Sequence, residues 1–277
     1  MKVVKALVLT GYGINCDYET DHALKIAGAE SDRVHVNELI KGYEFGRPVS
    51  LSDYHMLVFD GGFSWGDDHG AGVILANRLK YNIGDQIEQF INDGKLIIGI
   101  CNGFQALVNF GLLPGFEADY DSRKVALTFN DCGNFRDDWV SLKTLDSPCV
   151  FSRGIEQLDL PIRHGEGKFF AEEAVIKKLF DEKLVVFQYA DSEGDSARGK
   201  FPFNPNGSLG DIAAICDPTG RILGMMPHPE GYNHATNHPD WTRKKEALKR
   251  QGIALAEDGL GITLFRNGVS YVKEKLL

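Results

Sequence analysis

A chain of 277 residues is long enough to bury a substantial core, as one large domain or as two small ones. Hydrophobic residues make up 43% and charged residues 25%, which excludes a disordered chain. The 39 acidic and 30 basic side chains give a net charge of -9, which disfavours nucleic acid as a partner. The most apolar run, residues 96–100, is far shorter than the roughly 20 residues that cross a bilayer, so we expect no membrane partner.

The five cysteines are odd in number and scattered, and no Cys-x-x-Cys pair is present. A zinc knuckle and a disulfide framework are therefore both disfavoured, and we expect a reduced, cytoplasmic protein. Residues 1–9 carry lysines within their apolar stretch and are not followed by a small-residue cleavage site. They predict a strand rather than a signal peptide.

The first half of the sequence alternates between predicted strands and predicted helices. The strands are residues 3–9, 33–36, 56–59 and 95–100. One helix is predicted to begin with Asp17 as its cap and to end at Gly28, and another lies near residues 86–92 and ends at Gly94. This alternation, together with the continuous apolar runs of the strands, indicates a parallel sheet with helices on its faces.

The second half contains more predicted strands with few helices between them. These strands are residues 125–128, 139–142, 158–163, 185–189, 212–216 and 221–226. Residues 217–220 predict a turn between antiparallel strands, and the apolar spacing after Phe265 predicts an amphipathic C-terminal helix. Because the composition never shifts sharply, we predict one α/β domain over residues 1–277, with a central, mostly parallel mixed sheet flanked by helices.

Residues 99–105, Gly-Ile-Cys-Asn-Gly-Phe-Gln, carry the strongest chemical signal. A buried strand runs into a helix through a turn flanked by glycines, which is typical of a nucleophile elbow with Cys101 in place of serine. The sulfur then lies at the amino end of a helix, whose dipole stabilises a thiolate. A buried structural cysteine is the alternative, but the two glycines and the strand–helix context favour a catalytic one.

A cysteine nucleophile needs a base and a group that orients the base. Residues 226–230, Met-Pro-His-Pro-Glu, follow an apolar strand and offer both. The prolines favour an extended backbone, in which side chains two residues apart face the same way. We therefore expect Glu230 to hold His228 in one tautomer, as the third member of a triad does.

A pair of glycines follows the predicted strand at residues 56–59. Backbone N–H groups exposed in this turn, together with the N–H of Asn102, are candidates to bind an oxyanion. An ordinary Gly-Gly turn is the alternative.

Three other clusters carry weaker signals. Residues 67–69, Asp-Asp-His, are adjacent and cannot all converge on one metal ion, and His234 with His238 lacks an obvious third ligand. His164 and Glu166 form a rival His/Glu pair to residues 228 and 230. Because neither metal cluster offers a full set of ligands, we expect no metal in this chain. No Walker loop or dinucleotide-binding glycine loop is present, so we also expect no bound ATP or NAD cofactor.

These residues together resemble the class I (triad) glutamine amidotransferases. The elbow and the Pro-His-Pro-Glu segment are shared widely among them. The chain also resembles one branch, the glutaminase subunits of phosphoribosylformylglycinamidine synthases, in residues 13–17, 61–67, 163–167, 204–208 and 225–230, in that order. Of these segments, His-Gly-Glu-Gly within residues 163–167 and Asn-Pro-Asn-Gly-Ser at residues 204–208 point to this branch in particular.

The resemblance implies that Cys101 is the nucleophile, that His228 is the acid and base, and that Glu230 orients it. It further implies that Gly62 and Asn102 supply the oxyanion-hole N–H groups.

Gln105, on the first turn of the elbow helix, would help to hold the substrate glutamine. The sequence departs from the family at Asp60, where proline is usual, at Gly231, where arginine is common, and in a longer polar stretch over residues 232–250.

The implied activity is glutamine hydrolysis that delivers ammonia to an ATP-dependent synthase subunit. That partner would amidate formylglycinamide ribonucleotide in de novo purine biosynthesis, with ATP and Mg bound on the synthase, and a small bridging subunit is a further candidate partner. The alternatives are a glutaminase that serves another synthase, a free-standing Cys-dependent hydrolase, and a glutamine-binding regulatory subunit without activity.

Overall fold

A computed structural model describes residues 3–44 and 47–277, so Met1, Lys2 and residues 45–46 of the predicted domain lie outside the described residues. The strands are β1 Lys5–Thr10, β2 Glu30–His35, β3 Tyr43–Glu44, β4 Arg47–Pro48, β5 Met56–Phe59, β6 Leu96–Ile100, β7 Ala126–Thr128, β8 Arg136–Thr144, β9 Gln157–His164, β10 Lys168–Phe170, β11 Val185–Ala190, β12 Ile212–Cys216 and β13 Ile222–Met225. The α-helices are α1 Asp17–Ile26, α2 Val36–Lys41, α3 Val73–Asn92, α4 Asn102–Phe110, α5 Glu173–Asp181, α6 Trp241–Arg250 and α7 Ile262–Lys275.

Nine of the strands form one mixed sheet in the order β2-β1-β5-β6-β13-β12-β11-β8-β9. The four pairings from β2 to β13 are parallel, and the four from β13 to β9 are antiparallel. Every residue of β5, β6, β12 and β13 is buried, as expected for central strands covered on both faces. The α/β class, with helices flanking a mixed sheet, is confirmed, but the sheet is parallel in half of its pairings rather than in most of them, because its second half is built from antiparallel strands.

The parallel half of the sheet positions the candidate site. Strands β5, β6 and β13 are parallel neighbours, so their carboxyl ends meet at one edge of the sheet. The segments that follow these ends carry Asp60, Cys101 and His228 respectively. Open α/β sheets bind ligands outside the carboxyl ends of their strands, which makes this edge the natural place for chemistry.

The predicted elements differ from the structure at several bounds. Helix α3 begins at Val73, well before the predicted start near residue 86, and it is kinked at Ile83 (φ −137°). Helices α5 and α6 were not predicted, and α6 has no buried residue, so it has no apolar stripe to detect. Val36 begins α2 rather than ending a strand.

Asp17 does not cap α1 as expected. It is the first helical residue, and its carboxylate pairs with the Arg33 guanidinium at 2.8 Å instead. Cys16 takes the cap position, without a side-chain hydrogen bond to the helix.

Within residues 3–44 and 47–277, no helix combines the length and the apolar character that a membrane span requires.

Candidate active site

Cys101 lies in the tight turn that joins β6 to α4. Its backbone has φ 51° and ψ −106°, a strained conformation for a residue with a Cβ. A Cβ on Gly103 would lie 1.8 Å from the carbonyl oxygen of Phe59, and one on Gly99 would lie 2.5 Å from Leu107 Cδ1. Both glycines are therefore required for α4 to pack closely on β5 and β6, and the predicted elbow is confirmed.

The sulfur of Cys101 lies at the amino end of α4, where the helix dipole stabilises negative charge. The side chain is buried, and its Sγ lies 3.5 Å from the carbonyl oxygen of Arg163 at the end of β9. The Cys101 N–H donates to the Met225 carbonyl at 2.8 Å, which ties the elbow to β13.

His228 and Glu230 form a buried ion pair next to this elbow. The Nδ1 atom of His228 lies 2.5 Å from Glu230 Oε1, and both side chains are at most 2% exposed. The two residues lie in a turn that is closed by a hydrogen bond from the Gly231 N–H to the His228 carbonyl at 3.2 Å.

The expected extended backbone is therefore wrong here. Pro229 has helical angles (φ −66°, ψ −32°), and Glu230 begins a short 3-10 helix that ends at Tyr232. The fixed φ of proline is compatible with both conformations, so the motif alone did not decide between them.

The charges around His228 favour its protonated form. Burial disfavours the charged imidazole, but the Glu230 carboxylate and the nearby Cys101 sulfur outweigh it and raise the pKa of His228 well above its usual value. The Nε2 atom of His228 has no hydrogen-bond partner among the described residues. The ring is thus held through Nδ1 and has Nε2 free to exchange a proton.

A second buried carboxyl group, that of Asp60, interacts electrostatically with Glu230 of the His228–Glu230 pair. Its Oδ1 accepts hydrogen bonds from the Thr20 hydroxyl at 2.8 Å and from the Gly61 N–H at 2.9 Å. Burial, followed by the charge of Glu230, raises the pKa of Asp60 well above its usual value. Asp60, which stands where the family usually has proline, therefore contributes to the electrostatics of the site.

Gly62 lines a cavity of about 280 Å³ together with His228 and Cys16. Its φ is 145°, and a Cβ there would lie 2.5 Å from the Gly13 carbonyl oxygen, so only glycine fits. The Gly61 carbonyl accepts hydrogen bonds from the N–H groups of Asn15 and Cys16, at 3.1 and 3.3 Å, which fixes the peptide that contains the Gly62 N–H.

Asn102 is the first residue of α4, where backbone N–H groups have no partner within the helix. Its side chain accepts from the Ser64 N–H at 3.2 Å and donates to Asp67 at 2.9 Å. Asn102 therefore links the elbow to the turn that carries Gly62.

Gln105 is buried on the same helix, and its polar atoms are held by the protein. Its Nε2 donates to the Glu166 carbonyl at 2.5 Å, and its Oε1 accepts from Asn102 at 3.0 Å. Near it, burial and the Glu166 charge raise the pKa of Asp67 to about 6.

The rival pair at residues 164 and 166 is not formed. His164 Nδ1 lies 3.1 Å from Asn130 Oδ1 rather than against Glu166. Burial, with a contribution from the charge of His228, lowers the pKa of His164 to about 3. A neutral imidazole of this kind is a poor proton carrier near neutral pH.

The other clusters also separate. Asp67 turns inward to Asn102, whereas His69 pairs with Asp68 on the surface at 3.8 Å. His234 caps a short 3-10 helix through Thr236.

His238 is held elsewhere, by Lys244 at 3.0 Å and Asp159 at 3.4 Å. The two histidines 234 and 238 therefore have separate structural partners.

One residue of the site was missed by sequence reasoning. Cys16 Sγ lies 3.9 Å from His228 Nδ1, and burial raises the pKa of the Cys16 thiol to about 11. Its only sequence signal was the family-like segment at residues 13–17, which carries no chemistry by itself. The contact spans 212 residues of chain, so only the folded structure reveals it.

Comparisons with known proteins identify the family of this chain. Residues 3–272 match the CobB/CobQ-like glutamine amidotransferase domain family. The chain is 47% identical over 273 residues to the phosphoribosylformylglycinamidine synthase subunit PurQ of Methanococcus maripaludis strain S2, covering 98% of each chain. It is 43% identical over 275 residues to the subunit of the same name in Dehalococcoides mccartyi strain 195, covering 99% of this chain and all of that one.

A solved structure shares the fold over nearly the whole length. A chain of PurLQS from Thermotoga maritima superimposes with a TM-score of 0.69 at 27% identity, covering 98% of this chain and 100% of that one. The resemblance stated from the sequence motifs is confirmed: this chain belongs to the CobB/CobQ-like glutamine amidotransferase family.

Proposed function

We propose that this chain is the glutaminase subunit of a phosphoribosylformylglycinamidine synthase, in which Cys101, His228 and Glu230 hydrolyse glutamine and release ammonia for a synthase partner. The observation that carries the catalytic proposal is the buried 2.5 Å contact between His228 and Glu230 beside a strained cysteine at a helix terminus. The relatives named PurQ support the choice of pathway.

The reaction begins from a Cys101 thiolate and a His228 imidazolium. The thiolate attacks the side-chain amide carbon of glutamine, and the carbonyl oxygen becomes an oxyanion held by the N–H groups of Gly62 and Asn102. His228 gives its Nε2 proton to the departing nitrogen, so ammonia leaves and a γ-glutamyl thioester remains.

The thioester is then hydrolysed by the same imidazole. His228, now neutral, takes a proton from water, and the hydroxide attacks the thioester carbon. The thiolate leaves, glutamate is released, and the initial ion pair is restored. Throughout, Glu230 holds Nδ1 protonated and keeps Nε2 directed at the reaction, as the third member of a triad does.

The remaining assignments follow from the same proposal. Gln105 contributes to the wall of the glutamine site, and residues 1–277 form one domain. The acceptor chemistry takes place on an ATP-dependent partner that binds ATP and Mg, with a small bridging subunit as a further partner, and the complex works in the cytoplasm. The name PurLQS on the solved relative supports such an assembly.

The test is a rescue experiment on the recovered complex. The complex of the unaltered chain should amidate formylglycinamide ribonucleotide with either glutamine or ammonium as the nitrogen source. The complex with Cys101→Ala should lose the glutamine-dependent reaction and keep the ammonium-dependent one. A Cys132→Ala variant, at an exposed cysteine far from the triad in sequence, is the matched control and should keep both.

Other results would select a different function. Loss of both reactions in Cys101→Ala would mean that the cysteine supports the complex rather than hydrolyses glutamine. Glutamine hydrolysis that feeds a different acceptor would indicate another synthase. A chain that recovers no partner and cleaves non-glutamine amides would indicate a free-standing hydrolase.

A further inference from the structure

A second thiol lies against the catalytic histidine on the side away from Nε2. Cys16 Sγ, His228 Nδ1 and a carboxylate oxygen of Glu230 all lie within 4.8 Å of one another, and all three side chains are buried. Glu230 Oε2 has no hydrogen-bond partner among the described residues although its side chain is 1% exposed. The mechanism uses neither this oxygen nor the Cys16 thiol.

We propose that Cys16, His228 Nδ1 and Glu230 form an inhibitory site for Zn²⁺. Thiolate, imidazole and carboxylate are the three ligand types that zinc takes in proteins, at about 2.0 to 2.3 Å from the ion. The His228–Glu230 contact must open by roughly an ångström for a tetrahedral ion to enter, since ligands at those distances stand more than 3 Å apart. The thiol excludes Mg²⁺ and Ca²⁺, which prefer oxygen ligands.

The surroundings provide an entry path and a fourth ligand. Cys16 and His228 line the cavity of about 280 Å³, and the exposed Glu19 also lines it. Asn15 Oδ1 lies 3.5 Å from Cys16 Sγ, so this oxygen or a water in the cavity completes four-coordination. The buried Glu230 carboxylate beside His228 favours a dication in the same space.

Zinc binding changes the protonation state of His228 on which catalysis depends. The ion replaces the proton on His228 Nδ1 and the proton on the Cys16 thiol. When zinc binds to the resting enzyme, in which His228 is an imidazolium, two protons are therefore released for each ion. The metal fixes the neutral imidazole with its remaining proton on Nε2. The Nε2–H of this neutral, zinc-bound imidazole is a much weaker acid than that of the imidazolium, so it does not protonate the leaving nitrogen and the thioester does not form.

The inhibition rests on the proposed glutaminase function, but the metal site itself does not. The experiment therefore has two arms. In the first, glutamate release is measured with and without Zn²⁺, and the ratio of the two rates is compared between variants. In the second, Co²⁺ binding is followed by thiolate-to-cobalt charge-transfer absorption in chains that carry Cys101→Ala and have no nucleophile.

In the activity arm, zinc at ten times its dissociation constant should leave roughly a tenth of the unaltered chain's rate, by mass action. EDTA should restore the rate. The Cys132→Ser control should lose activity equally, whereas Cys16→Ser should keep most of its own zinc-free rate. Equal inhibition of Cys16→Ser would place the ion on Cys101 and His228 and would overturn the proposal.

In the binding arm, Cys101→Ala should show the cobalt band, and adding Cys16→Ser should abolish it. A band that is absent from Cys101→Ala, or that survives in the double variant, would overturn the site. Because this arm needs no turnover, it also separates failure of the metal site from failure of the glutaminase proposal.

Discussion

Asp60 and Glu230 are two buried carboxyl groups that act on one another across the site. Burial and the Glu230 charge raise the pKa of Asp60 well above its usual value, and each residue has one buried carboxyl oxygen without a hydrogen-bond partner among the described residues. A proton on Asp60 relieves the repulsion between two carboxylates in a low-dielectric interior. We therefore expect Asp60 to be protonated when the triad is active.

This relationship predicts a pH-dependent gain in stability for Asp60→Asn. Between the unfolded pKa of about 3.9 and the higher folded pKa, the folded chain binds a proton that the unfolded chain has lost, so stability falls as pH rises. Asparagine does not titrate, and its oxygen can still accept from Thr20 and Gly61. The difference in melting temperature between Asp60→Asn and the unaltered chain should grow from pH 4 to pH 8.

The exposed Asp85 provides the matched control for that series. Asp85→Asn makes the same chemical change at a solvent-exposed position, and the pH series of Asp60→Asn is compared with it. A melting-temperature difference for Asp60→Asn that shrinks with rising pH would contradict the raised pKa.

The two buried histidines should respond differently to the same substitution. His228→Asn should lower glutaminase turnover by about 10² or more, the usual scale for loss of a general acid and base. His164→Asn should have a much smaller effect on the chemical step, because the low pKa of His164 keeps it neutral. Single-turnover glutamate formation on the isolated chain measures both, and reversed effects would make His164 the base.

Glu230→Gln should move the pH profile in a defined direction. The Glu230 charge contributes to the raised pKa of His228, so its removal lowers that pKa. The imidazolium that protonates the leaving nitrogen is then lost at lower pH, and the basic limb of the turnover profile shifts to lower pH. If turnover fell by the same factor at every pH, with both limbs of the profile at unchanged pH, the charge of Glu230 would not be what matters for His228.

A glutamine-analogue electrophile should label Cys101 and spare the other cysteines. Cys149 and Cys216 are at most 1% exposed and, unlike Cys101, do not lie at the amino end of a helix, and the raised pKa of Cys16 keeps it as a thiol. Cys132 is exposed and should react with a general thiol reagent but not with the analogue. Peptide mapping measures both patterns, and analogue on Cys16 or Cys132 would remove the nucleophile assignment.

The parts of the fold that the sequence predicted best are the buried central strands. Residues 56–59 and 212–216 were predicted with the bounds that the structure has, because strands covered on both faces are continuous apolar runs. Helix α6 escaped detection, because none of its side chains is buried.

The candidate site also has parts that the sequence predicted and parts that it did not. The Cys101 elbow and the His228–Glu230 pair are local patterns, and the structure brings them to the neighbouring ends of β6 and β13. The contacts of His228 with Cys16, and of Asp60 with Thr20, join segments far apart in sequence. No periodicity or spacing in one chain encodes such contacts.

The last prediction concerns control by the partner. We expect the isolated chain to hydrolyse glutamine slowly and a substrate-loaded synthase to accelerate it. We expect the control to act on the Gly61–Gly62 peptide, in which the Gly61 carbonyl accepts hydrogen bonds from the N–H groups of Asn15 and Cys16. A rotation of this peptide redirects the Gly62 N–H, and loss of one oxyanion donor costs roughly 10²–10³ in rate.

A partner that binds the competent orientation more tightly shifts the population toward it, and the gain in rate cannot exceed that differential affinity. The measurement is the glutamate-release rate of the chain alone, then with partner, with nucleotide and with acceptor substrate added in turn. His228→Asn carried through the same series controls for contaminating glutaminase. Full activity of the isolated chain, unchanged by every addition, would refute gating and favour a free-standing hydrolase.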